Sequence, residues 1–66
     1  MIKVGDKVDS RWGEATILSI ELCAEGHHKY GVDMPSVPAD LKDRCVFDLD
    51  NDHWAYGSQI FVLETA

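Results

Sequence analysis

The stretch FDLDNDHWAYGSQIF, residues 47 to 61, decides how this chain is read. Asp48, Asp50 and Asp52 stand at alternate positions, as in the opening of a calcium loop, where carboxylates converge on a hard cation. Such a loop needs glycine at its sixth position and a bidentate glutamate at its twelfth. Those positions hold His53 and Gln59, and no helical periodicity flanks them. The other reading is a β-hairpin. Phe47 and Leu49 alternate with Asp48 and Asp50, Asn51 and Asp52 tolerate the positive φ of a tight turn, and the chain returns with Trp54 and Tyr56 on one face. On this reading the aspartates face water and initiate the turn.

Working outward, the same period of two recurs, and the apolar spacing of an amphipathic helix does not. Cys45, Phe47 and Leu49 alternate against Val46, Asp48 and Asp50. Residues 15 to 24, ATILSIELCA, form the strongest predicted strand, rich in β-branched side chains and free of Gly and Pro. Its alternation places Leu18, Ile20 and Leu22 on one face and Ser19, Glu21 and Cys23 on the other. Ile17 breaks that pattern, which calls either for a bulge that re-aims it inward or for two partly buried faces, one of them against another subunit.

Gly5-Asp6 reads as a turn before Val8, and Gly13 ends that first strand. EGHH, residues 25 to 28, carries a hairpin turn, and KYGVDMP, residues 29 to 35, returns with Tyr30, Val32 and Met34 on one face. Pro35 and Pro38 end it. Residues 36 to 44 are the long connection, with one helical turn at ADLKD that tucks Leu41 inward. Gly57-Ser58 breaks the strand after Tyr56, a short 3₁₀ turn is expected at Ser58 to Ile60, and FVLET closes the sheet.

Composition narrows the function classes. Sixty-six residues make one domain, and a chain of this size buries only about 60% of its unfolded surface. Six basic against 12 acidic residues give a net charge of −6, with the acids spread along the chain. That sign repels phosphate backbones, and only Lys3, Lys7 and Arg11 cluster, so nucleic-acid binding is disfavoured. No signal-peptide pattern and no apolar run of about 20 residues is present, so no membrane span is expected and the expected localisation is cytoplasmic.

Cys23 and Cys45 are too few for a disulfide framework and too far apart for a Cys-x-x-Cys unit, so they read as reduced, half-buried thiols. With His27, His28 and His53 they supply soft ligands, but only Cys23 with His27 or His28 approaches the close spacing that nucleates a zinc site. No Ser-His-Asp or Cys-His set is recognisable, no Gly-rich phosphate loop is present, and an acidic chain offers no electropositive setting to activate a thiol. No catalytic residue, cofactor or metal is therefore expected. The aromatic residues read first as core, because so small a barrel must use its large side chains internally, and the functional alternative keeps one or two of them outside. Trp12, Trp54, Tyr56 and Gln59 are the candidate lining of a ligand groove walled by the 36 to 44 loop.

Five or six short strands, a long loop after the third and a 3₁₀ turn before the last describe a small closed barrel, which leaves no sheet edge exposed. The chain resembles SH3-like barrels at Gly5-Asp6-Lys7-Val8, at Gly13 with Ala15, Ile17 and Ile20, at Tyr30-x-Val32, and at Trp54-x-Tyr56 before Leu63-Glu64. Within that fold it is similar in part to the type II dihydrofolate reductases. Gly5-Asp6-Lys7-Val8, the Ile17-to-Cys23 strand and Tyr30-Gly31-Val32 have counterparts there in similar order. That resemblance implies a tetramer with one shared pore for folate and NADPH. Gln59-Ile60-Phe61 echoes the Gln-Ile-Tyr of the family's pore strand, but it follows the Gly57-Ser58 break. Alignment on Leu63-Glu64 puts the pore positions at Trp54-Ala55-Tyr56, where a tryptophan crowds a pore.

The expectation is thus a single all-β, SH3-like barrel domain over residues 1–66, acting as a non-enzymatic binding or assembly module. It is expected to self-associate, through the outer face of the second strand with Ile17 and Cys23 or through the Trp54 to Tyr56 edge, and to bind a basic or neutral peptide or a small molecule. The alternatives are a pore-forming reductase and a nucleic-acid-binding module.

Overall fold

The computed structural model describes residues 1–23 and 31–65. The predicted turn at 25 to 28, His27, His28 and Tyr30 lie outside them. Among the described residues the fold is all-β. Eight strands run in chain order as β1 (Ile2–Lys3), β2 (Lys7–Ser10), β3 (Gly13–Leu22), β4 (Val32–Met34), β5 (Ser36–Val37), β6 (Cys45–Leu49), β7 (Trp54–Tyr56) and β8 (Ile60–Glu64). A 3₁₀ helix spans Ala39–Arg44, and a 3₁₀ turn spans Gly57–Gln59, one residue earlier than its predicted place. No helix among the described residues is long and apolar enough to cross a membrane.

All observed pairings are antiparallel. The larger sheet has the order β7-β6-β3-β2-β8, with β4 also on β3, and β1 pairs with β5 in a second sheet. The ten residues of β3 organise the fold, its first part laddering with β2 and its second with β6 and β4. The end strands β7 and β8 are consecutive in the chain, joined by the 3₁₀ turn, yet they are not hydrogen-bonded neighbours. The sheet is therefore open, which corrects the sealed cylinder expected from the sequence. The long connection is also more ordered than expected, since it holds β5 and the longer 3₁₀ helix.

The bulge needed by Ile17 is present. Ile17 pairs with Leu49 and Ser19 pairs with Asp48, so Leu18 is the extra residue between them. One inserted residue switches which parity faces inward. Ala15 and Ile17 point inward before the bulge and Ile20 after it, whereas Leu18 is 57% exposed. The expected grouping of Leu18 with Ile20 is corrected by this switch. It also removes the outward face proposed for Ile17 and Cys23, because both are buried.

The core gathers Ile2, Val8, Ala15, Ile17, Ile20, Val37, Cys45, Phe47, Leu49, Ala55 and Ile60, with Leu22 and Met34 packed against it. Each fully buried Val, Ile or Phe among them contributes about 1.5–3 kcal/mol. Lys42 fastens the two 3₁₀ segments together. Its ammonium donates to the carbonyl of Gly57 and, at 3.1 Å, to that of Ile60. Gly57 is required at this crossing, because a Cβ there would overlap the Lys42 carbonyl.

Candidate functional site

Two turns bring the candidate residues together. Arg11 and Trp12 form the tip of the β2–β3 hairpin, where Ser10 Oγ donates to the Gly13 carbonyl at 2.8 Å and accepts from Trp12 N at 3.2 Å. Gly13 takes a φ of +99°, a conformation that a Cβ would resist. The other turn joins β6 to β7. Leu49 N donates to the His53 carbonyl at 2.9 Å, and Asp52 adopts the positive φ of 66° expected of a turn residue.

Two of the three aspartates of the opening stretch, Asp48 and Asp50, are structural. Asp48 accepts from Ser19 Oγ at 2.7 Å across the ladder. Asp50 holds Thr16 at two points, its carboxylate accepting from Thr16 N at 2.9 Å and its own N–H donating to the Thr16 carbonyl at 3.1 Å. These two carboxylates clamp β6 to β3 on either side of the bulge. Asp6, the buried acid of the first turn, accepts from Lys3 N at 2.9 Å.

On β7, Trp54 and Tyr56 lie opposite Asp48 and Val46 and point out of the core. The indole and the phenol meet edge to face, with centroids 5.1 Å apart and planes at 89°. Across from them, Trp12 lies flat on His53, centroids 4.4 Å apart and planes 3° from parallel. The Arg11 guanidinium sits 5.2 Å from the Trp12 ring centre. Such aromatic pairs are worth about 0.5–1.5 kcal/mol beyond their area, which organises the site before any ligand arrives.

These side chains line an open cleft of about 330 Å³, formed by Arg11, Trp12, Asp52, His53, Trp54, Tyr56 and Gln59. All four residues selected from the sequence are in it, and three of its aromatic members remain 41% (Trp12), 47% (Trp54) and 36% (Tyr56) exposed. Gln59 closes one end, where its Oε1 accepts from Tyr56 N at 3.0 Å. The 36 to 44 loop does not line it. Arg11, Asp52 and His53 were not selected from the sequence, although Arg11 adjoins Trp12, His53 adjoins Trp54 and Asp52 lies two positions before Trp54. Asp52 makes no hydrogen bond or ion pair with another described residue.

The thiols lie elsewhere. Leu22 pairs with Cys45, and Cys23 N donates to the Arg44 carbonyl at 2.9 Å, which puts Cys23 and Cys45 side by side inside the fold. Both are fully buried rather than half-buried. Desolvation, and then the Glu21 carboxylate, pushes the Cys23 thiol above its ordinary range; desolvation, and then Cys23, does the same to Cys45, against a smaller opposing effect of Arg44. His53 is at the far end of β6 from Cys45. Among the described residues no three His, Cys, Asp or Glu converge on one point.

Comparison with family models, with curated proteins and with solved structures finds no match for this chain.

Proposed function

We propose that this chain is a non-enzymatic module of the SH3-like type, a barrel left open between β7 and β8, that works as a homo-oligomer and receives an extended peptide, basic or neutral, in the aromatic cleft. The strand order β7-β6-β3-β2-β8, with a 3₁₀ turn between β7 and β8, supports the barrel reading. The single observation carrying the binding reading is the convergence of Trp12, Trp54 and Tyr56, partly exposed, in one cleft.

The shape of the cleft argues for a narrow chain over a planar ligand. One face of Trp12 is covered by His53, and the guanidinium of Arg11 approaches the ring as well. A flat ring has little room to stack there. What remains is a ridged wall from Trp54 and Tyr56 in the same cleft as Trp12, which suits the aliphatic and pyrrolidine groups of an extended or polyproline segment. The Asp52 carboxylate, which has no partner among the described residues, and the net charge of −6 favour a basic side chain at one end. The reductase alternative needs its pore at Trp54-Ala55-Tyr56, and this strand spends both of its rings on the cleft.

The test is a tryptophan-fluorescence titration with proline-rich peptides, with and without a terminal arginine. Saturable binding is expected, weakened about tenfold by Trp54→Ala, which is about 1.4 kcal/mol. Asp52→Asn is expected to weaken only the arginine-bearing peptide. Fluorescence that no peptide changes overturns the reading, and folate-dependent oxidation of NADPH revives the reductase.

A further inference from the structure

The main path of the open sheet, from which β4 branches on β3, has two ends, and they are finished differently. At β7 the Tyr56 N–H is capped by Gln59 Oε1, so that edge is already spoken for where the strand ends. At β8 the strand pairs with β2 alone, and beyond Ile60 its outer edge has no strand partner among the described residues, the Lys42 ammonium lying 6.0 Å from the Phe61 ring centre. That edge is also apolar, with Phe61 70%, Val62 36% and Leu63 49% exposed. The segment from Ile60 to Leu63 contains none of the Lys or Pro residues with which proteins blunt a free edge. Phe61 lies opposite Asp9 and Val62 opposite Val8, so apolar groups emerge on both faces of the strand.

We infer that β8 is the assembly surface of this protein and that its occupant is the β8 strand of a second copy, added antiparallel across a two-fold axis near Phe61 and Val62. This rests on the self-association half of the proposed function and supplies its surface. The charge pattern selects a second copy. Antiparallel pairing about either residue brings the Glu64 end of one strand beside residues 58 to 60 of the other. There the Lys42 ammonium is held on the Gly57 and Ile60 carbonyls, with the exposed Asp43 carboxylate 3.8 Å away. Glu64 has no ion pair of its own among the described residues, and the two-fold makes the contact twice. Phe61, at the centre of the seam, meets the apolar part of its mate. The contact is isologous and closes after two copies, so it removes a free edge without building a fibre.

Sedimentation equilibrium or light scattering across a dilution series tests this. At about 100 μM the expected mass is that of a dimer. Because two copies each carry −6, association is expected to strengthen between low salt and about 0.5 M. Phe61→Lys removes little core, since the ring is exposed, and is expected to give a folded monomer by circular dichroism. Glu64→Lys, which sets two cations against each other, is expected to weaken the dimer about tenfold, and Glu64→Gln less. Trp54→Ala is expected to leave the dimer intact. A monomer under all these conditions overturns the inference, as does a dimer that survives Phe61→Lys. Peptide titration of Phe61→Lys separates the two readings: retained binding leaves the cleft standing whatever the mass.

Discussion

Phe47 and Ala55 face each other across the β6–β7 ladder, and both are fully buried. Directly opposed residues share a face of the sheet, so the phenyl ring fills the space and leaves its partner room for only a methyl group. This fixes the phase of β7 and sends Trp54 and Tyr56 outward into the cleft. Phe47→Ala is expected to cost about 3–5 kcal/mol through the cavity it leaves. Ala55→Leu is expected to cost about 1–3 kcal/mol by overpacking. Urea denaturation of the two variants measures both. An Ala55→Leu protein as stable as wild type would show that the core has slack at this point.

The bulge at Leu18 makes a prediction that plain alternation reverses. Ile17→Ala is expected to cost about 2–5 kcal/mol, because Ile17 lies in the core. Leu18→Ala is expected to stay within about 0.5 kcal/mol, as for an ordinary surface change. Thermal or chemical denaturation of the pair reads the difference directly, and equal losses would place the bulge elsewhere.

The crossing of the two 3₁₀ segments depends on one glycine and one lysine. Gly57→Ala forces its new Cβ against the Lys42 carbonyl, and an expected loss of about 1–3 kcal/mol follows from the strain. Lys42→Met removes the donor from two carbonyls, at a cost of about 1–3 kcal/mol for groups left unsatisfied. Hydrogen exchange of the Ile60 and Phe61 amides is expected to quicken in both variants, since β8 starts at this junction. Unchanged exchange would mean that β8 is held independently of it.

The two thiols give a pH dependence with a definite sign. Burial raises both above the ordinary value of 9.0, so the folded chain keeps its thiol protons at a pH where the unfolded chain has begun to lose them. Their contribution to stability is full below about pH 9 and falls as pH rises through the folded values. Urea midpoints for wild type are therefore expected to fall more steeply above pH 9 than those of the Cys23→Ala, Cys45→Ala double variant. The native thiols are also expected to react slowly with a disulfide reagent and quickly once unfolded. Parallel midpoint curves for the two proteins would show that the thiols do not contribute.

The period of two along Cys45 to Leu49, the turn residues Asn51 and Asp52, and the glycine at 13 were legible in the sequence. They act locally: side-chain alternation and positive φ are properties of a few consecutive residues, whatever the rest of the chain does. The candidate residues Trp12, Trp54, Tyr56 and Gln59 were legible as types, being large rings and an amide with no evident chemical role inside a small core. Alternation alone left open whether those rings face inward or outward.

Tertiary structure decided the rest. Leu18 faces out and Ile17 in because the register of β3 against β6 slips by one residue, and only the pairing of distant strands makes that slip visible. Trp12 and His53 stack although 41 positions separate them, since the β2–β3 tip and the β6–β7 turn are brought together by the order of strands. The edge of β8 stays bare for the same kind of reason. A run such as Ile60 to Leu63 reads as core in one dimension, and among the described residues no further strand lies beside it in three dimensions, which leaves Phe61 exposed.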